Sequence, residues 1–247
     1  MMRAALGCVV AALMAAGAAA QATHPATAAA RGPDPALLHP AELTARAPEV
    51  FRVKFTTTKG VFIVEVNRAW SPRGADRFYN LVKHHFYDDA GFFRVLSSPR
   101  PFVVQFGISP YPKVNTAVET ATIKDDPVVG HNTRGTLVFA MGGPNTRTTQ
   151  LFINLGDNSR LDSMGFSPFG TVVEGMDVVD QLYGGYGEMA EQGGRGPSAA
   201  KYGEEGKAYI DKNFPKLDSI VSAVIEPAAG AAPAGTPAKP PAKKPRQ

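Results

Sequence analysis

Phe139-Ala140-Met141-Gly142-Gly143-Pro144-Asn145-Thr146-Arg147-Thr148-Thr149-Gln150-Leu151-Phe152-Ile153 sets a tight loop directly against an apolar strand. Gly-Gly-Pro-Asn supplies what a reversing backbone needs: glycines tolerant of positive φ, a proline of fixed φ, and an asparagine able to bond its own backbone. Leu151-Phe152-Ile153 then reads as a strand. On these residues alone the stretch is a connection in a β-rich domain, and its purpose depends on what accompanies it.

Outward from it, the chain is mostly short strands. Phe51 to Thr57 alternates apolar and polar residues, Lys59-Gly60 supplies a turn, and Val61-Phe62-Ile63-Val64-Glu65-Val66 continues, which is a hairpin pattern. Ser71-Pro72 puts a capping residue before a first-turn proline. Ala75, Phe78, Leu81 and Val82 then recur at helical spacing, so an amphipathic helix is expected over 73–85. Between Gly185 and Leu217 glycine and polar residues exceed what a simple connection needs, with a short helix expected over 205–213. This stretch reads as an insertion, residues 186–216, before a last strand at Ile220 to Ile225. No repeat of solenoid or propeller length is present in the sequence.

The 247 residues, 44% of them hydrophobic, suffice for one well-buried core, and no second domain is required. Met1-Met2-Arg3, an alanine-rich run and Ala20-Gln21-Ala22 read as a signal peptide over 1–22; a membrane anchor is the alternative, disfavoured because alanine partitions weakly into lipid. The single cysteine, Cys8, lies in that leader, so the mature chain is expected to carry neither thiol nor disulfide. Residues 23–47, with Pro33, Pro35 and Pro40, read as a flexible spacer, and the domain is expected over 48–226. The tail, 227–247, is rich in Pro, Ala and Lys and is expected to be disordered and basic. Lys239, Lys243, Lys244 and Arg246 account for the whole formal charge of +4, so the body is near neutral and a nucleic-acid-binding body is not indicated.

Other chemistries find little support. His24, His39, His84, His85 and His131 lack metal-ligand spacing. The acidic pairs Asp125-Asp126 and Glu204-Glu205 sit in polar stretches and read as solvated charge. Gly184-Gly185-Tyr186-Gly187 lacks both the spacing and the preceding strand of a phosphate loop. No metal and no cofactor is expected.

Flanking the quoted stretch, four motifs in fixed order resemble those of the cyclophilins, the prolyl isomerases. Phe92-Phe93-Arg94-Val95 resembles the strand bearing the family's catalytic arginine, and Phe102-Val103-Val104-Gln105-Phe106-Gly107 the next strand, with its pocket phenylalanine and glutamine. The quoted stretch from Phe139 resembles the family's peptide-binding strand and loop. Arg160-Leu161-Asp162 with Phe166 to Gly170 resembles the loop closing the pocket, and the run from Glu174 to Leu182 the helix that plugs the barrel. The resemblance implies a mainly β fold, a closed eight-stranded antiparallel β-barrel capped by two α-helices, of the bacterial exported kind. It implies Arg94 and Gln105 as catalytic residues, and Phe102, Val103, Ala140, Met141, Gly142, Gln150, Phe152, Leu161 and Phe166 as the peptide-binding surface. On composition alone, Arg94 would be a solvent-facing strand arginine, and Phe102 and Phe152 plain core aromatics.

The implied chemistry needs no nucleophile. Amide resonance sets a barrier of roughly 18–20 kcal/mol, so a catalyst must localise the prolyl nitrogen lone pair and accommodate a twisted amide. A fixed guanidinium suits the first task, and an apolar pocket for the proline ring suits the second. The chain departs from the family at the rim, where Arg160 stands in place of a frequent tryptophan and Phe166 near a frequent histidine, which puts binding of cyclosporin-type ligands in doubt. Ser97-Ser98-Pro99-Arg100-Pro101 is also longer than the family's usual turn. The expectation is an exported monomer, periplasmic or secreted, without stable membrane insertion, that isomerises X-Pro bonds in proline-containing polypeptides. The alternative is a non-catalytic proline-peptide-binding or holdase module.

Overall fold

The computed structural model describes residues 32–227, so the leader expected over 1–22 and the tail from 228 onward lie outside the described residues. The hairpin forms as the alternation requires. Strands β1 (Val50–Thr57) and β2 (Gly60–Asn67) pair antiparallel in unbroken register from Val50↔Asn67 to Thr57↔Gly60. After them come helix α1 (Pro72–Lys83), strands β3 (Arg94–Val95) and β4 (Val103–Phe106), and helix α2 (Pro112–Val118). Strands β5 (Thr136–Phe139), β6 (Leu151–Asn154) and β7 (Pro168–Glu174) lead to helix α3 (Met176–Asp180). Helices α4 (Ala199–Glu205) and α5 (Lys207–Asn213) precede β8 (Ile220–Ile225).

The eight strands make one sheet, in the order β3-β4-β6-β5-β7-β2-β1-β8, with antiparallel neighbours throughout. The expected closed barrel is corrected by this order. The sheet curls through 226° and remains open between β3 and β8. Among the described residues that gap is spanned by an isolated bridge, Gly91 to Ser219, with flanking N–H donations from Phe92 to Asp218 and from Ile220 to Ala90, each 2.9 Å. Strand β3, two residues long, is too short to carry a ladder further.

The curled sheet buries its inner face against α1. Phe78 sits at the centre, its ring 5.2 Å from Phe169, 5.7 Å from Tyr87 and 6.3 Å from both Phe51 and Phe55. Phe55 and Phe62, opposite each other on β1 and β2, stack at 4.8 Å. Such offset and edge contacts add to the burial of each ring. The two expected capping helices appear as α1 and as α3, the latter only five residues long, while residues 186–216, expected to be an insertion, contribute both α4 and α5.

Two expectations fail for identifiable reasons. The flexible spacer is ordered from residue 32: Pro35–Leu38 and Pro40–Glu42 form short 3₁₀ turns, each begun by proline, and Leu37 enters the core at 1% exposure. Asn80 fastens the segment by accepting the Ala45 N–H and donating to the Ala45 carbonyl, while Asp34 bonds His84 at 2.8 Å. Asp126 is not solvated either. It is buried at 5% exposure and caps α1 in place of Ser71, accepting from the Ser71 hydroxyl at 2.7 Å, the Gly74 N–H at 3.0 Å and the Arg73 N–H at 3.1 Å. Arg147, itself 2% exposed, donates both terminal nitrogens to the same carboxylate at 3.2 Å. Burial opposes ionisation of Asp126, but these donors and the Arg147 charge outweigh it and hold the carboxyl below its usual range.

Candidate active site

Register brings the site residues together. Arg94 on β3 lies opposite Gln105 on β4, Gln105 opposite Phe152 on β6, and Phe152 opposite Val138 on β5. Cross-strand partners share a face, so these four form a row across the open end of the sheet. Their strand neighbours Val95, Val104, Ile153 and Leu137 form the next row and belong to the core. Side-chain alternation thus fixes which half of each strand is solvent-side floor and which is core.

Above that floor, Val103, Val138, Phe152 and Leu161 form a separate apolar cluster with Phe102, Ala140 and Phe166 packed around it. The cluster bounds a cavity of about 190 Å³. That is roomier than the ~150 Å³ that accommodates a benzene ring, so a five-membered ring fits. Nine of the residues named from sequence line it: Arg94, Phe102, Val103, Gln105, Ala140, Met141, Phe152, Leu161 and Phe166. Phe166 meets Phe152 edge-on at 5.7 Å, standing where the family resemblance placed a rim residue. Arg160 lies over the Phe102 ring at 4.7 Å, and Arg94 is 5.6 Å from the centre of the same ring, so Phe102 carries two cation–π contacts.

Arg94 is restrained by hydrogen bonds on two sides. Its Nη1 donates to the Gln105 side-chain oxygen at 3.0 Å, and the Gln105 amide nitrogen donates to Gln150 at 3.0 Å, so the three side chains form one chain of bonds. On the other side, Nε and Nη2 donate to the two carboxylate oxygens of Glu188 at 2.6 and 2.8 Å. Burial raises the Glu188 pKa, but the Arg94 bonds, the Met189 N–H and the Arg94 charge overcome this and set it below the ordinary value. A guanidinium carries five N–H groups, so these three bonds leave one on each terminal nitrogen for a ligand.

Two expected residues sit elsewhere. Gly142 is exposed and donates its N–H to the Thr146 hydroxyl at 2.9 Å, outside the cavity lining. Gln150 reaches the site through Gln105, and itself lines a neighbouring groove with Gly107 and Thr149. Gly107 permits this close approach of β4 to the Arg147–Gln150 loop: at φ 103° a Cβ would stand 2.5 Å from the Thr149 carbonyl oxygen. The residues missed from sequence are Glu188, Met189 and Gln192, the latter two completing the cavity wall ahead of α4. Arg94 and Glu188 are 94 positions apart, and no local pattern announces such a pair.

The loop carrying Leu161 is tied down from beneath. Asp162 accepts from the Asn132 backbone and side chain at 2.9 and 2.7 Å and bonds His131 at 2.9 Å, and Asn132 also donates to the Phe166 carbonyl. Burial pushes the Asp162 pKa up, but Asn132 and His131 outweigh it and bring it below normal. Leu161 and Phe166 are thereby presented by a braced turn, Ser159–Met164, closed by Gly165 at φ 88°.

Similar proteins include a peptidyl-prolyl cis-trans isomerase of Acinetobacter baylyi, 34% identical over 136 residues, covering 53% of this chain and 70% of that one. Peptidyl-prolyl cis-trans isomerase B of Escherichia coli is 33% identical over 142 residues, covering 53% and 84%. Among solved structures, a cyclophilin type peptidyl-prolyl cis-trans isomerase of Cryptosporidium parvum superposes with a TM-score of 0.52 at 18% identity, over 72% of this chain and 98% of that one, which speaks for the fold. Residues 52–199 match the family model described as cyclophilin type peptidyl-prolyl cis-trans isomerase/CLD, and this chain belongs to that family.

Proposed function

We propose that this chain is a bacterial, exported peptidyl-prolyl cis-trans isomerase that acts as a monomer on X-Pro segments of periplasmic or secreted polypeptides and assists their folding. The observation that carries the reading is a guanidinium with two uncommitted N–H groups at the wall of an apolar cavity sized for a proline ring. In the proposed mechanism, Phe102, Phe152, Leu161 and Phe166 hold the ring, and the carbonyl preceding proline swings at the open side. As the amide twists, resonance is lost and the lone pair of the prolyl nitrogen localises on that atom. An Arg94 N–H directed at that lone pair stabilises the twisted state more than the planar one, which is the condition for acceleration. Gln105 orients Arg94 and is itself oriented by Gln150.

Substrate class is supported by a relative of the same fold, the Cryptosporidium parvum protein, whose structure was determined in the presence of the dipeptide ala-pro. Export is supported by the basic start, the alanine-rich run and the small-residue site at Ala20-Gln21-Ala22. No helix among the described residues is long and apolar enough to cross a membrane. Titrating the protein with an Ala-Pro peptide and with its Ala-Ala counterpart tests the pocket: only the first is expected to shift the ring resonances of Phe152 and Phe166. Equal responses to both would contradict it. The mass of the exported chain tests the leader, with loss of residues 1–22 expected and their retention contrary to it.

A further inference from the structure

The insertion meets the site through one charged side chain, and the turn around it is shaped to hold it there. Glu188 Oε1 accepts its neighbour Met189's N–H at 2.9 Å as well as Arg94 Nε. The Glu188 carbonyl accepts the Gly196 N–H at 2.8 Å, and the Met189 carbonyl the Gly194 N–H at 2.9 Å. Two positions on the returning arm of this turn have to be glycine: a Cβ at Gly194 would lie 2.0 Å from the Glu188 carbonyl oxygen, and one at Gly196 2.7 Å. Downstream, Glu191 anchors the start of α4 by accepting from the Ser198 hydroxyl at 2.6 Å and the Ala200 N–H at 3.1 Å. Buried Tyr202 on α4 accepts the N–H of Gly91 at 2.8 Å, three residues before Arg94, so insertion and β3 are fastened at both ends of the contact.

We propose that Glu188 is a positioning residue for Arg94, fixing the guanidinium plane so that its remaining Nη1 and Nη2 donors face the cavity. Gln105 makes one bond and leaves the plane free to swing about the side-chain torsions; two parallel bonds to a carboxylate do not. Glu188 does not line the cavity, whereas Arg94, Met189 and Gln192 do, so the grip comes from behind the arginine and leaves the ligand side open. Misplacing a catalytic group by ~1 Å can cost up to about a hundredfold in rate, which gives such a grip something to do. The proposal rests on the reading of Arg94 as the catalytic donor.

Glu188→Ala and Glu188→Gln variants of the full chain test it by two readouts. In the parent, the Arg94 Nε–H is expected to give a slowly exchanging NMR signal, lost in Glu188→Ala and kept in Glu188→Gln, where an amide oxygen can still accept. Isomerisation of an Ala-Pro peptide is expected to lose about tenfold in kcat with KM unchanged in Glu188→Ala, and to recover in part in Glu188→Gln. A purely structural role would instead move KM and melting temperature together. Unchanged kcat, or a rise in kcat that would make Glu188 a built-in restraint, overturns the proposal. If the parent itself does not isomerise the peptide, the isomerase reading fails, while the Nε–H signal still decides whether Glu188 holds Arg94.

Discussion

Replacing Asp126 by Asn should cost this fold about 3 kcal/mol, because that carboxylate is a buried junction between α1 and the loop ahead of β6. Its Oδ2 receives the Ser71 hydroxyl, the Gly74 N–H and both terminal nitrogens of Arg147, and its Oδ1 the Arg73 N–H. An asparagine can present its one oxygen to the first group only by turning its NH₂ towards the Arg73 N–H, donor against donor. The larger loss is charge: breaking a buried pair costs about 3–5 kcal/mol because the partner is left uncompensated. Asp125 lies 3.3 Å from Arg147 Nε without hydrogen-bond alignment, and the Lys124 carbonyl also accepts from Arg147, so the low end of that range applies. At ~2–4 °C per kcal/mol for a domain of this size, the melting temperature falls by about 6–12 °C. Urea unfolding of the single variants and of Asp126→Asn/Arg147→Met is the assay. The double variant should cost at least about 1.5 kcal/mol less than the sum of the singles. A single-variant cost under about 1 kcal/mol, or simple additivity, would show that Asp126 and Arg147 are not a coupled buried pair.

Other outcomes follow from the same contacts. Leu37→Ala should destabilise by about 2–5 kcal/mol in urea unfolding, because Leu37 belongs to the core; a change under about 1 kcal/mol would mean that residues 32–47 are a spacer after all. Gly194→Ala forces a Cβ against the Glu188 carbonyl and should abolish the protected Arg94 Nε–H signal; an unchanged signal would show the turn to be slack. Asp126, Asp162 and Glu188 all have depressed folded-state values, so their contribution is complete above the ordinary carboxylate range and is lost as pH falls through the folded values. Asp89, raised by burial, acts in the opposite sense. Urea midpoints should therefore fall below about pH 4, less steeply in Asp126→Asn, and a flat profile down to about pH 2 would contradict the assignment.

What the sequence disclosed was local. The β1–β2 alternation, the helical spacing of Ala75, Phe78, Leu81 and Val82, and the β-branched run Ile220–Ile225 carry their structure in neighbouring residues, and each element formed within a residue or two of its expected bounds. The cavity lining was legible because four motifs kept a known order. What escaped was non-local. Arg147 and Asp126 look like ordinary polar loop residues until folding buries them against each other, and no periodicity marks Glu188 as a partner of Arg94. The Ala/Pro-rich segment before β1 lacks the pattern of a regular element, yet Leu37 in the core and the bonds to Asn80 and His84 dock it. Openness of the sheet depends on the shortness of β3, which the apolar run Phe92-Phe93-Arg94-Val95 does not reveal.

The most direct measurement is isomerisation of a short Ala-Pro peptide followed by NMR exchange, with the parent beside folded Arg94→Ala and Arg94→Lys variants. Clear acceleration is expected of the parent and a loss of at least roughly tenfold in both variants, about 1.4 kcal/mol of transition-state stabilisation, because lysine cannot present the guanidinium's paired, directed donors. Absence of acceleration by the folded parent would contradict the account and leave a proline-peptide-binding module in its place, and full activity in Arg94→Ala would remove Arg94 from the mechanism.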